Sequence, residues 1–265
     1  MAVIYAMSDI HGHLDILKET LQNVDLTAKN NKLILLGDYI NRGDKSCETL
    51  YFVKDLSEKY PEQVVALKGN HEEMFLEDIS EKNNLFSSDS YNELQSYLSQ
   101  EELSSIANEF SDSMSMNDNI IAIYKEMVSL IKTKHSEMLY WLKSLPYIYE
   151  TDTQIFVHAG IDEEAGEYWK WGSEDYYFCS KYPYVMGEFY KDIIAGHIGT
   201  SAIANDESFH KVFWDKESHF YIDGTTEISG CIPILKYDIN TKQYTSFEKV
   251  LDENSSVVWS EYLIK

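Results

Sequence analysis

An α/β fold is predicted by three features of the sequence. Short apolar runs alternate with segments of helical spacing across residues 3–79, and further apolar runs follow from residue 154 to 197. Chemically versatile residues stand directly behind each of these runs, where open α/β sheets form their ligand crevice. The composition, 44% hydrophobic and 14% aromatic, is that of a chain able to bury a core. Four prolines and the absence of a Gly/Ser- or Pro-rich linker favour one domain over residues 1–265.

The elements follow in order. "VIYAM" (3–7), "KLILL" (32–36) and "QVVALK" (63–68) are apolar enough to be strands buried on both faces, and helical spacing follows each at 14–22, 46–59 and 71–79. Strands separated by helices need crossover connections, so this part of the sheet should be largely parallel. From about residue 75 to 140 Glu, Asp, Ser and Leu dominate, and the segments 93–110 and 120–145 carry helical spacing. This is read as an acidic helical insertion with a solvated face, a cap over a substrate groove being the alternative. "QIFVHA" (154–159) and "DIIAGH" (192–197) resume the strands, and "HFYIDG", "CIPILKYDI" and "QYTSFEKVL" suggest antiparallel strands joined by turns. The aromatic stretch from Tyr168 to Tyr184 is expected to be a packed loop rather than a recognition wall.

Charge narrows the partners. With 22 Lys and Arg against 45 Asp and Glu, the net charge of −23 repels nucleic acid and anionic membrane surfaces. A small phosphorylated substrate stays compatible if metal ions invert the local charge. Cys47, Cys179 and Cys231 form no CxxC pair and read as free thiols. "AVIYAMSD" lacks a signal sequence's basic and apolar regions, and no apolar run approaches the ~18 residues of a membrane span, so a cytoplasmic protein is expected. The oligomeric state is left open.

The strand ends carry the chemistry. "SDIHGH" presents Asp9 and His11, and "GDYINRG" presents Asp38 and Arg42. "GNHEE" presents Asn70 and His71, "VHAG" His158 and "AGHIGT" His197. Singly, such residues are turn formers or structural histidines; five in register are not. Carboxylate, imidazole and amide-oxygen donors suit two divalent ions, manganese first, with iron or zinc possible. Asp38 has two oxygens and could bridge them. Asp9 and His11 would complete one ion's protein ligands, and Asn70, His158 and His197 the other's, at the ~3.5–4 Å spacing that clamps an in-line displacement at phosphorus.

The set Asp-x-His-Gly, Gly-Asp-x-x-x-Arg-Gly, Gly-Asn-His-Glu, His-Ala-Gly and Gly-His resembles the calcineurin-like metallophosphoesterases. Over residues 3–75 and about 139–240 it is similar to their phosphoprotein phosphatase branch in its compact bacterial and phage form. Relatives that end in Gly-His-x-His gain a further ligand; here "GHIG" has Gly199 in that place. The resemblance implies two mixed sheets packed as a sandwich, flanked by helices. It also implies hydrolysis of a phosphomonoester by a metal-bound hydroxide, without a covalent enzyme intermediate. His71 would then be the general acid, supported by Asn41, and Glu72 a structural partner at a helix start.

Arg42, the only arginine of the chain, would clamp phosphate with its planar fork of donors, beside Asn70 in the substrate site. The sequence departs from the family pattern twice. Asn41 stands where an aspartate is usual, supplying a hydrogen-bond acceptor without a charge. A second arginine expected after His-Ala-Gly is missing, with Lys170 or Ser173 as the nearest substitutes. The expected substrate is phosphoserine/phosphothreonine protein or another small phosphoester. The alternatives are a dinucleoside polyphosphate such as diadenosine tetraphosphate, or a catalytically weak phosphate-binding scaffold.

Overall fold

A computed structural model describes residues 2–80, 88–109, 116–252 and 255–265. Two mixed sheets pack face to face. The first has the order β11-β10-β9-β1-β2-β3, built from β1 (Val3–Met7), β2 (Lys32–Leu35), β3 (Val64–Ala66), β9 (Leu235–Asp238), β10 (Gln243–Leu251) and β11 (Val257–Leu263). The second has the order β4-β5-β6-β8-β7, from β4 (Ile148–Glu150), β5 (Gln154–Val157), β6 (Asp192–Ala195), β7 (Phe213–Trp214) and β8 (His219–Tyr221). β1, β2 and β3 run parallel, with Met7 opposite Leu35 and Leu35 opposite Ala66, so their carboxyl ends lie side by side. β5 and β6 are parallel likewise.

The two-residue side-chain period explains why the strands read as unbroken apolar runs. Ile4 and Ala6, with Ile34 and Leu36, face the second sheet and meet Phe156, Ile194 and Phe220 there. Tyr5 and Met7, with Leu33 and Leu35, face the other way onto helices Leu14–Thr20 and Ser46–Lys59. Each Ile, Leu, Met or Phe side chain among them, fully buried, contributes roughly 1.5–3 kcal/mol.

One pairing departs from the sequence expectation. The run at 219–224 gives β8, which pairs parallel with β6 (Ile193 opposite His219) and antiparallel only with the short edge strand β7. Residues 196–218 separate β6 from β8, and a connection of that length can cross over and return in the same direction. β9, β10 and β11 are antiparallel as expected.

In the stretch read as the insertion, helices Ser88–Gln95, Gln100–Glu109, Met116–Lys134 and Ser136–Ser144 form; residues 81–87 and 110–115 lie outside the described residues. These helices are not wholly solvated. Leu94, Tyr97, Ile106, Met127, Val128 and Ile131 are buried in the same core as Met7 and Leu35. The aromatic stretch divides. Trp169 and Phe178 pack edge-to-face inside, while Tyr168, Trp171, Tyr176 and Tyr182 are exposed. No described helix is long and apolar enough to cross a membrane.

Candidate metal centre

Most of the predicted site residues stand in turns just past a strand, while Asn70 and His71 open helix Asn70–Ile79, which follows β3. Asp9, His11, Asp38, Asn41, Arg42 and His197 all have positive φ, between 47° and 69°. The left-handed region costs a side chain with a Cβ, but it turns the chain sharply and aims successive side chains into one crevice. The glycines of the motifs serve close approach. A Cβ on Gly43 would lie 2.3 Å from the His11 carbonyl oxygen, and one on Gly69 would lie 2.2 Å from Asp38 Oδ1.

Glu72 ties these turns together. Its fully buried carboxylate accepts from the backbone N–H groups of Asp38 (2.8 Å), Tyr39 (2.8 Å) and Gly69 (2.9 Å). The side chain therefore joins the turn after β2 to the start of helix Asn70–Ile79. Losing it would strand three buried donors at about 1–3 kcal/mol each. Burial and the nearby Asp38 charge push Glu72 up to about 7.

The structure brings the six proposed ligand residues together. His11 hydrogen-bonds through Nδ1 to the Ile40 carbonyl (2.9 Å), which leaves the Nε2 lone pair directed inward. That atom is buried, finds no hydrogen-bond partner among the described residues, and lies 3.8 Å from Asp9 Oδ1 and 3.7 Å from Asp38 Oδ2. His158 Nδ1 meets the Leu36 carbonyl at 3.0 Å, and its Nε2 faces Asn70 Oδ1 (3.0 Å) and Asp38 Oδ1 (3.4 Å). His197 reaches Asn70 Oδ1 through Nδ1 (3.0 Å), and its backbone N–H donates to Asp9 Oδ2 (3.0 Å). Donor atoms of His11, Asp38 and His71 lie within 4.8 Å of one another, as do those of Asp38, His158 and His197. Asp38 belongs to both groups.

The electrostatics fit cations. Burial pushes His11 down to about 4, and burial with the His158 charge pushes His197 down to about 4, so both imidazoles are neutral donors at pH 7. Burial opposes ionisation of Asp38, but His158, His71 and His11 around it hold its carboxyl well below the usual range. Burial and the neighbouring Asp223 raise Asp9, and burial with the Asp38 charge pushes Asp223 up to about 6. Three buried carboxylates, together with an orphaned imidazole lone pair, make an arrangement that divalent ions would neutralise. Asp223 was not among the residues expected from sequence. Its signal was nevertheless the same as the others, since "FYIDG" is an acid behind an apolar strand.

His71 Nδ1 meets Asn41 Oδ1 at 2.8 Å, the contact expected of an acid and its orienting partner. Its ring stands edge-on to that of His11, at 4.8 Å between centroids. Arg42 is partly exposed and donates from Nη1 to Glu227 Oε1 at 2.6 Å, a partner 185 positions away that the sequence did not suggest. Neither candidate for the missing arginine takes its place. Lys170 is ion-paired with Glu150, which lies opposite Ile155 and so away from the His158 end of β5. Ser173 bonds the Trp169 carbonyl. A cavity of about 730 Å³ opens between the 41–46 turn, helix Asn70–Ile79 and the insertion helices. Among its described lining residues Asp44, Asp78 and Glu93 are acidic, and Arg42 and His71 are the basic groups.

The family description "Calcineurin-like phosphoesterase" matches residues 2–201. The chain is 34% identical to a symmetrical bis(5'-nucleosyl)-tetraphosphatase of Vibrio campbellii (strain ATCC BAA-1116) over 108 residues, covering 37% of this chain and 39% of the relative. It is 42% identical to the serine/threonine-protein phosphatase 6 catalytic subunit of Caenorhabditis elegans over 64 residues, covering 24% of this chain and 19% of that protein. The matched stretches thus span well under half the length of these relatives. A solved structure provisionally described as a diadenosine tetraphosphatase superposes with a TM-score of 0.56 over 98% of this chain and 93% of its own, at 13% identity, a likeness of fold.

Proposed function

The chain belongs to the calcineurin-like phosphoesterase family, and from that premise we propose that it hydrolyses phosphoserine or phosphothreonine in protein segments. The observation that carries the substrate class is the cavity beside His71, whose acidic walls carry a single arginine. A phosphorylated side chain on a neutral or basic peptide suits those walls. A dinucleoside polyphosphate brings several more negative charges and would need more cations than the walls hold. The curated relative from Vibrio campbellii supports that second reading.

Asp9, His11 and Asp38 would hold one divalent ion, and Asp38, Asn70, His158 and His197 the other. Manganese suits this set, which has no thiolate, and iron or zinc is accommodated by the same donors. Such ions, when bound, supply a nucleophile at neutral pH and offset charge on the phosphoryl oxygens. Arg42 orients the phosphoryl group, its guanidinium steadied by Glu227. Asn70, besides its place among the ligands, would contact the substrate. His71, with Nδ1–H donated to the Asn41 carbonyl oxygen, presents Nε2 to the leaving oxygen and delivers its proton there.

The test is a turnover comparison, with manganese added, of phosphoserine and phosphothreonine peptides, diadenosine tetraphosphate and an aryl phosphate. The peptides should show the highest kcat/KM, by about tenfold or more. A higher value for diadenosine tetraphosphate would replace this reading with the second. In the same assay Arg42→Lys should lower kcat/KM by about ten- to a hundredfold at unchanged metal content, because an ammonium cannot make the bidentate contact. Parent-like turnover by that variant on every substrate would remove Arg42 from the phosphate site.

A further inference from the structure

Glu93 of the insertion hydrogen-bonds to the turn after β2. Glu93, on helix Ser88–Gln95, is 6% exposed, and its carboxylate accepts three hydrogen bonds. Oε2 takes the Asn41 backbone N–H at 3.0 Å and the Ser46 hydroxyl at 2.8 Å, while Oε1 takes the Tyr97 hydroxyl at 2.9 Å. Two of the three donors come from the 41–46 turn. The Asn41 N–H also approaches Ser46 Oγ at 3.0 Å, so the Glu93–Ser46 pair forms a closed clamp on that one peptide group. Asn41 needs such a hold, because its backbone sits in the left-handed region at φ 66°. From the clamped residue the side-chain oxygen reaches His71 Nδ1 at 2.8 Å.

We propose that Glu93 is a positioning residue for the hydrolysis: from the insertion it fixes the Asn41 turn and, through it, the tautomer and direction of the His71 ring. The inference rests on the reading of His71 as general acid. A buried carboxylate is costly where packing alone is required, and a leucine would fill the same space without a desolvation penalty. Three donors converging on it offset that cost. The benefit falls on the geometry of one proton donor, for which an error of about 1 Å costs on the order of a hundredfold in rate.

The experiment uses the full chain loaded with manganese and two substrates. One is a phosphoserine peptide, whose alkoxide needs a proton to leave; the other is an aryl phosphate, whose phenolate does not. Glu93→Leu keeps the bulk but removes both carboxylate acceptors, so the Asn41 N–H is left with the Ser46 hydroxyl alone. It should lower kcat on the peptide by about ten- to a hundredfold with KM and metal content within about twofold, and lower kcat on the aryl ester by less than about threefold. Tyr97→Phe frees the carboxylate from the insertion side without touching the turn, and should give the same selective loss in smaller measure. It carries the test alone if Glu93→Leu does not fold. His71→Asn, run beside them, should show the largest peptide-selective loss. If His71→Asn is peptide-selective while Glu93→Leu and Tyr97→Phe lose activity equally on both substrates, or lose none, Glu93 serves the fold only and the inference falls. If His71→Asn shows no selectivity, or the parent turns over neither substrate, the acid assignment fails and the inference falls with it.

Discussion

Replacing Asp38 with asparagine is expected to lower turnover by about three orders of magnitude or more and to strip the chain of most of its bound metal. Among the described residues, Asp38 is the one shared by both candidate ligand groups. Oδ2 lies 3.7 Å from His11 Nε2, and Oδ1 lies 3.4 Å from His158 Nε2. An asparagine keeps one acceptor, which can still take the His71 backbone N–H that Oδ1 takes at 3.1 Å, so the turn itself should survive. It turns an NH₂ group toward whatever the second oxygen faced, and it removes the charge that His158, foremost among its neighbours, stabilises. Elemental analysis of the purified variant together with its turnover is the measurement. Two ions per chain in Asp38→Asn would end the bridging assignment, whatever its activity.

The second large effect is expected at His71. His71→Asn should cost about a thousandfold in kcat on a phosphoserine peptide and about tenfold or less on an aryl phosphate, since a positioned acid typically contributes 10²–10⁴-fold where the leaving group needs its proton. Metal content should stay at the parent level, because the six proposed ligands are untouched. His71 does belong geometrically to the His11–Asp38 group, and its Nε2 lies 3.8 Å from Asp38 Oδ2. Elemental analysis therefore separates two roles. Loss of an ion in His71→Asn would make His71 a ligand, and full occupancy with the substrate-selective loss would make it the acid.

The strand-end residues were legible in sequence because each depends on local chain geometry. A buried strand is a short apolar run, and the residue that leaves it must turn, so Asp9, Asp38, Asn70, His158 and His197 stand out together as a set, each behind such a run. The contact of His71 with Asn41 was expected only from the family resemblance, which puts an orienting residue at position 41. What was not legible depends on partners distant in sequence. Glu227 lies 185 positions from Arg42, and Glu93 lies 52 from Asn41; both read as ordinary acids in the sequence. The acidic surplus of the insertion suggested a solvated face, which conceals one carboxylate buried among three donors. The direction of β8 was missed for a related reason, since alternation shows that a strand is present but not which neighbour it will join.

The site is divided between the two sheets. Asp9, His11, Asp38 and Asn70 follow β1, β2 and β3 of the first, and His158 and His197 follow β5 and β6 of the second. An ion held from both sides is a clasp across the seam of the molecule. By mass action, binding only to the assembled form adds about 4 kcal/mol at a free concentration a thousand times the dissociation constant. Against a net stability of about 5–15 kcal/mol for a typical domain, that is a substantial share. Cohesion of the two halves would then follow the supply of metal in the surroundings, and scarcity would weaken the scaffold in the same step that silences the chemistry.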